Sequence, residues 1–537
     1  MKLKFSLIAF ILSALVCYAQ DWKVYPYSPP NSLISFSEDE GRHLSEPVEW
    51  WYTTGHITGD TSTKEYSYML TYFYYPDSGF DGFRILNLTD HSDGTFYQNV
   101  LPVNYTTLST TELDIEANVF LAGTETWKNK LDGGNNIIPF EYEVFASGGG
   151  ITLDFELVTT KRPLILGDDG YLDQGSVNYT YYYSQTGNDL IGSLTINGTT
   201  ETVTGTAWID RQYGNFNPFT GEKYEWFSMQ LSNGMDVNFW NIFTTDRKIP
   251  DNDKYKILSA YVDESTQYTT SSFEIERLAF FCTPDEVNCY SQQWRLTSSD
   301  QNDIDLIITS MHETTEVTLP FRFYEGATTI TGTVNGNTVT GVGFTELLHH
   351  YEYPNMIITS PTEGVYNASI PITWVLNNPD DGRPITFDLE YSVDNQSTFL
   401  PIAQDLTSNS YTWSNPPISE SDEVWFKITG KSIDGVLTSS VTSTSSSTVT
   451  LSLETFNPNG IRLYPNPSAN EINIEFKEHL SDLKIEIIDV RGRLMFENKA
   501  EEDTALEKIN ISTFPQGVYF IRIHSETIED FLRFVKK

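Results

Sequence analysis

Two stretches of this chain read as copies of one another: TINGTTETVTGTAWIDR at residues 195–211 and TVNGNTVTGVGFTEL at residues 333–347. Val203 matches Val339, Gly205 matches Gly341, Ala207 matches Gly343, Trp208 matches Phe344 and Asp210 matches Glu346, all at one constant spacing. Each copy opens on Asn-Gly and runs into alternating small, aromatic and polar residues, the strongest short-range signal for a β-hairpin. A repeat unit of this size is a barrel or sandwich rather than one turn of a solenoid. Two related β-domains in tandem are therefore expected, each ending on one of these hairpins.

Working outward, Val, Thr, Tyr, Phe and Trp alternate with polar residues through most of the 537 residues, and the fold class is mostly β. The length calls for several domains. Residues 35–205 and 206–352 are assigned to the two tandem domains. Residues 354–452 hold ASIPITWVL, ITFDLEYSV, SYTWSN and EVWFKITG, strands at the spacing of an immunoglobulin- or fibronectin-like sandwich with three inward tryptophans. A Ser/Thr tract, VTSTSSSTVTL, then acts as a spacer before residues 456–537.

The formal net charge of −40 repels phosphate backbones and argues against a nucleic-acid partner. The N-terminus MKLKFSLIAFILSALVCYAQ has two lysines, an apolar run and small residues near Ala19, so residues 1–19 read as a secretory signal peptide. No later run is long enough to span a bilayer. Beyond the leader only Cys282 and Cys289 occur, and an exported chain pairs them in a short disulfide loop. Two thiols without a neighbouring His make no metal site.

The chemistry concentrates in two strands. In GTAWIDRQYG (205–214), residues two apart share a face, so Trp208 and Asp210 point one way and Arg211 the other. An acid beside an aromatic wall is desolvated and stays protonated, which suits a proton donor. The same residues allow a structural acid, paired with Arg211 or capping backbone amides. In HLSEPVEWWYTTGHITG (43–59), alternation puts Glu49 and Trp51 on one face and Trp50 and Tyr52 on the other. His43 and His56 lack a third ligand, and no metal is assigned. Serine-hydrolase, zincin and phosphate-loop motifs are absent from the sequence.

HLSEPVEWWYTTGHITG, KRPLILG (161–167), VNYTYYYS (177–184), GTAWIDRQYG and FYEGATTITGTVNGNTVTGVGFTEL together resemble the secreted lipocalin-like hydratase family, which includes carotenoid hydratases (hydroxyneurosporene synthase) and AttH-like proteins. The resemblance implies two lipocalin-like β-barrels side by side. It also implies cofactor-free hydration or isomerisation of an apolar, terpenoid- or lipid-like substrate by protonation of a carbon–carbon double bond. Carried over, Asp210 is the proton donor and Glu49 a second catalytic candidate, a polar group of the pocket that positions water. Trp208 and Tyr213 line the pocket, their ring faces stabilising a cation, Trp51 and Tyr52 also bind substrate, and His43 is a polar or water-positioning group there. The alternative is an exported carrier that binds a hydrophobic ligand without catalysis. A third reading is a surface module without a ligand.

LYPNP (463–467), IDVRG (488–492), GVY (517–519) and the terminal Lys536-Lys537 resemble the C-terminal sorting domain of type IX secretion substrates. This implies a small β-sandwich, the type IX secretion machinery as partner, and a secreted or cell-surface destination.

Overall fold

The two Asn-Gly turns form as their chemistry demands. Asn197 and Gly198 have φ of 50° and 84°, and Asn335 and Gly336 have 51° and 73°. Positive φ at both central residues gives the turn whose twist matches the flanking strands, and Asn-Gly tolerates it best. The computed structural model describes residues 21–537 apart from 78, 218–219, 363, 367–368, 415, 419–421, 450–458, 501–503 and 526–527. The signal peptide assigned to residues 1–19 lies outside the described residues. Among them, no helix is long and apolar enough to cross a membrane.

The first hairpin completes a sheet built from β1 (Val48–Gly59), β2 (Glu65–Asp77), β3 (Phe80–Asp90), β4 (Thr95–Leu108), β5 (Asp114–Val119), β6 (Gly123–Leu131), β7 (Ile137–Gly148), β8 (Ile151–Thr159), β9 (Leu164–Ile165), β10 (Tyr171–Gln174), β11 (Asn178–Ile196) and β12 (Thr199–Gly214). The strands β1 to β8 pair in sequence, β12 lies between β11 and β1, and β8 returns to β11. That pairing closes a ten-stranded barrel. Its interior is filled by side chains including Tyr68, Trp127, Tyr142, Phe155 and Leu157.

The second sheet contains β13 (Lys223–Leu231), β14 (Asp236–Phe243), β15 (Lys256–Asp263), β16 (Thr266–Thr270), β17 (Phe273–Cys282), β18 (Cys289–Ser298), β19 (Ile304–Ser310), β20 (Glu316–Val317), β21 (Phe323–Val334) and β22 (Asn337–Leu347). Its order repeats the first: β22 lies between β21 and β13, as β12 lies between β11 and β1. Two expectations need correction here. The second domain is a curled half-barrel, because β16 and β17 form its two ends and do not pair among the described residues. The division between the domains falls after Gly214 rather than at 205/206, because β12 pairs with β1 from Gly59↔Val203 to Val48↔Gly214. Cys282 and Cys289 are bonded across the end of the β17–β18 hairpin, as expected.

Several strands of this unit are buried on both faces. All eight residues of β14 are buried, and so are the last eight of β12, Ala207–Gly214. One face of each fills its own barrel or half-barrel. The other joins a shared layer that includes Tyr52, Met69, Ile85 and Tyr182 from the first sheet and Trp226, Trp240, Phe323 and Phe344 from the second. Fully burying one such side chain contributes about 1.5–3 kcal/mol, so this shared layer is a main source of cohesion between the two sheets. Gly205 marks how closely β12 packs: a Cβ there would lie 2.0 Å from the His56 carbonyl oxygen.

By contact pattern the chain splits into a first unit through Glu352, with Pro379–Pro384, and a second covering Tyr353–Asn378 and Ile385–Lys537. In the second unit, a sheet of Met356–Ser360, Ser369–Leu376 and Ser410–Ser414 and one centred on Glu423–Ser432 enclose Trp374, Trp413, Phe387 and Phe426. Two of the three expected tryptophans point inward. Trp425 is only half-buried, and its neighbours Val424 and Phe426 take the inner face. The last module pairs a three-stranded and a four-stranded sheet around Ile472, Ile485, Ile521 and Phe534.

Candidate functional site

Register between β12 and β1 decides which side chains meet. Asp210 stands opposite Tyr52, Gln212 opposite Trp50, Arg211 opposite Trp51 and Tyr213 opposite Glu49. Side chains alternate between faces, so these pairs sort into two separate groups.

Asp210, Gln212, Tyr52 and Trp50 face a cavity of about 470 Å³ that runs between the closed barrel and the half-barrel. Its walls are largely aromatic and aliphatic, with Phe73, Phe83 and Tyr182 from the first sheet and Trp226, Trp240 and Phe323 from the second. Phe73 stacks on Phe83 at 4.4 Å between ring centroids, and Trp50 leans on Phe73 at 5.9 Å. The volume suits one small apolar ligand. The cavity therefore lies between the two sheets and not inside either barrel mouth.

Asp210 is a polar group of this wall and is only 3% exposed. Its Oδ1 accepts from Ser184 Oγ at 2.5 Å and Trp208 Nε1 at 2.7 Å, and its Oδ2 accepts from Tyr182 OH at 2.7 Å. The second sheet reaches across to fix that tyrosine. Trp226 Nε1 at 3.0 Å and Asn238 Nδ2 at 2.8 Å both donate to the Tyr182 oxygen, so its own hydrogen is committed to Asp210. No cation pairs with Asp210 among the described residues. Burial pushes its pKa up to about 7 in spite of the three donors, and the charge of Glu346 adds to the rise.

Arg211 points away from Asp210 and answers the question of pairing. It donates to Glu49, which also receives Arg42 and the His43 ring. Burial opposes the Glu49 charge, but Arg211 and His43 outweigh it and hold the carboxyl below its usual range. Burial likewise disfavours a charged His43, yet its partners Asp39 and Glu49 raise its pKa overall. Tyr213 stacks on His43 at 3.5 Å, and Arg211 lies over the Trp51 ring at 4.0 Å. Glu49, Trp51, Tyr213 and His43, expected at the pocket, thus form a separate network on the inner face of the barrel wall. The physical reason is strand parity for Glu49, Trp51 and Tyr213, which share the face opposite Asp210, while His43, in the segment before β1, joins them by stacking on Tyr213. Trp208 buttresses Asp210 through its indole N–H without lining the cavity. Tyr52 alone of the expected lining residues does so. His56 sits elsewhere, with Nε2 3.1 Å from the Gly343 carbonyl oxygen, and does not meet His43.

Sequence reasoning missed Trp50, Tyr182, Ser184, Trp226 and Glu346. Tyr182 and Ser184 lie in the quoted VNYTYYYS stretch, and Glu346 is the repeat counterpart of Asp210. Both signals were present but gave no face. Among the described residues no cluster of three or more His, Cys, Asp or Glu is arranged to hold a metal ion.

A closed lipocalin-like barrel, a half-barrel repeat and a polar-centred apolar cavity between them define a two-domain β-barrel protein with a ligand-sized site. Residues 27–351 match the AttH-like family, and the chain belongs to it. Residues 462–537 match the secretion system C-terminal sorting domain, which marks a protein that is secreted or held at the cell surface. An AttH structure from Nitrosomonas europaea aligns over 61% of this chain and 100% of its own, with 21% identity and a TM-score of 0.50. Kievitone hydratase from Nectria haematococca aligns over 61% of this chain and 98% of its own, with 19% identity and a TM-score of 0.48. No curated protein matches the sequence significantly.

Proposed function

We propose that this protein is an exported, cofactor-free hydratase or isomerase that protonates a carbon–carbon double bond of an apolar, terpenoid- or lipid-like substrate, with Asp210 as the acid. One observation carries the reading: a buried carboxyl with no cation partner among the described residues sits in the wall of an aromatic cavity, where burial raises its pKa to about 7. A general acid works best when its pKa lies near the operating pH. Ser184, Tyr182 and Trp208 hold the carboxyl in one orientation and stabilise the carboxylate left after transfer. Trp50, Trp226, Trp240 and Phe73 offer ring faces to the cationic carbon that protonation creates.

Glu49 takes no part in this chemistry, because it faces the barrel interior. The sorting tail supports delivery by the type IX secretion machinery.

The carrier reading shares the cavity and differs only at Asp210. Farnesol, an acyclic isoprenoid alcohol, serves as the probe in D2O. Wild type binds it by calorimetry and incorporates solvent deuterium at an alkene carbon. D210N is expected to keep its affinity and lose incorporation. Binding with no incorporation by wild type supports the carrier instead.

A further inference from the structure

We propose that Glu346 is the second catalytic group of this cavity, a base working opposite the acid Asp210 and positioned by Glu325 and Tyr224. The proposal rests on the reading of Asp210 as the acid. Glu346 occupies the repeat position of Asp210, and the packing of the two sheets brings both carboxyls to one cavity. Glu346 keeps part of its surface open, whereas Glu325, its direct cross-strand partner in β21, is 3% exposed and sits behind it.

The surroundings separate the roles of these acids. Tyr224 OH donates to Glu346, and Tyr52 OH donates to Glu325 Oε1 at 2.9 Å. Among the described residues, Glu325 Oε2 is buried and receives no N–H or O–H donor, which leaves it to carry a proton toward Glu346. Burial and the neighbouring Glu346 charge drive Glu325 well above its usual range, so Glu325 is the protonated member. Burial also raises Glu346, but the hydrogen bonds from Tyr224 and Glu325 favour its charged form. No cation forms an ion pair with Asp210, Glu325 or Glu346 among the described residues; Lys223 and Glu222 line the same cavity from the start of β13. Burial is the main cause of the raised Asp210 pKa, and a negative Glu346 adds to it. Environments that push paired acids apart assign one as donor and the other as acceptor.

In hydration, the Asp210 O–H bond breaks and the alkene π pair forms a C–H bond, leaving a cationic carbon. A water oxygen bonds to that carbon while Glu346 takes the water proton. Asp210 ends as carboxylate and Glu346 as acid, and one proton passed from Glu346 back to Asp210 restores the start. In isomerisation, Glu346 removes a C–H proton beside the cation instead, and no water is consumed.

The test is a pH titration of carboxyl C=O stretches by infrared difference spectroscopy on the full chain, with Asp210 assigned by subtraction of D210N. E346Q is expected to move the Asp210 midpoint down by about one pH unit, since a like charge is removed, and to lower farnesol turnover about a hundredfold. Y224F, which removes only the donor, is expected to move the Glu346 midpoint up. An Asp210 midpoint unchanged in E346Q, or a Glu346 midpoint unchanged in Y224F, overturns this inference while leaving Asp210 as the acid. A wild-type Asp210 midpoint in the ordinary carboxylate range overturns the reading beneath it.

Discussion

Asp210 and Tyr52 face each other across the β12–β1 ladder, and Tyr52 in turn donates to Glu325 from the second sheet. This places the acid of one repeat beside the acid pair of the other. The cavity chemistry therefore belongs to the junction of the two sheets.

Replacing Asp210 by Asn removes the proton without changing the shape of the wall. Turnover of an isoprenoid alkene should fall by at least about a hundredfold, the contribution of a positioned general acid. Affinity should stay within a few-fold, read by calorimetry. An equal loss of affinity and turnover would place Asp210 in ligand binding alone.

The same variant tests linkage. The native pKa of Asp210, about 7, lies above its ordinary value of 3.8, so the folded state holds the extra proton. Stability from this group is full below about pH 4 and is lost as pH rises toward 7, at up to about 1.4 kcal/mol per pH unit. Thermal unfolding of wild type and D210N should show this as a difference in pH slope that vanishes in the variant. Parallel slopes from pH 4 to 7 would contradict it.

Much of the fold was legible before any coordinates. The Asn197-Gly198 and Asn335-Gly336 turns, with the matched residues after them, showed two related β-domains. Closure was not legible: nothing in Thr266–Thr270 tells whether that strand finds a partner beyond β15. That Trp208 and Asp210 share a face was readable by parity, and Trp208 donates to Asp210. Parity within each strand was also read correctly for Glu49-Trp50-Trp51-Tyr52. The phase between β1 and β12 was not readable, because one residue of slip exchanges the faces. That unknown bears on Glu49 and Trp51, which the resemblance placed at the cavity in place of Trp50; Tyr213 is turned away already by its odd spacing from Asp210 within β12, and His43 lies outside the strands.

Glu49 offers a check on that correction. E49Q leaves Arg211 and Arg42 without their buried counter-charge, and the barrel should lose about 3 kcal/mol in denaturant unfolding. The pH dependence of turnover in the surviving folded protein should match wild type. A shifted profile would return Glu49 to the site.

The Cys282–Cys289 bond closes a short hairpin loop. Replacing both by Ser should lower the stability of the half-barrel by about 2 kcal/mol, seen by calorimetry, with no effect on the pH profile.

The most direct test of the central claim is the titration of one carboxyl, measured as the infrared difference between wild type and D210N from pH 3 to 9. A protonated carboxyl band disappearing with a midpoint near 7 is the predicted result. A band lost near pH 4, leaving Asp210 charged at neutrality, would contradict the account.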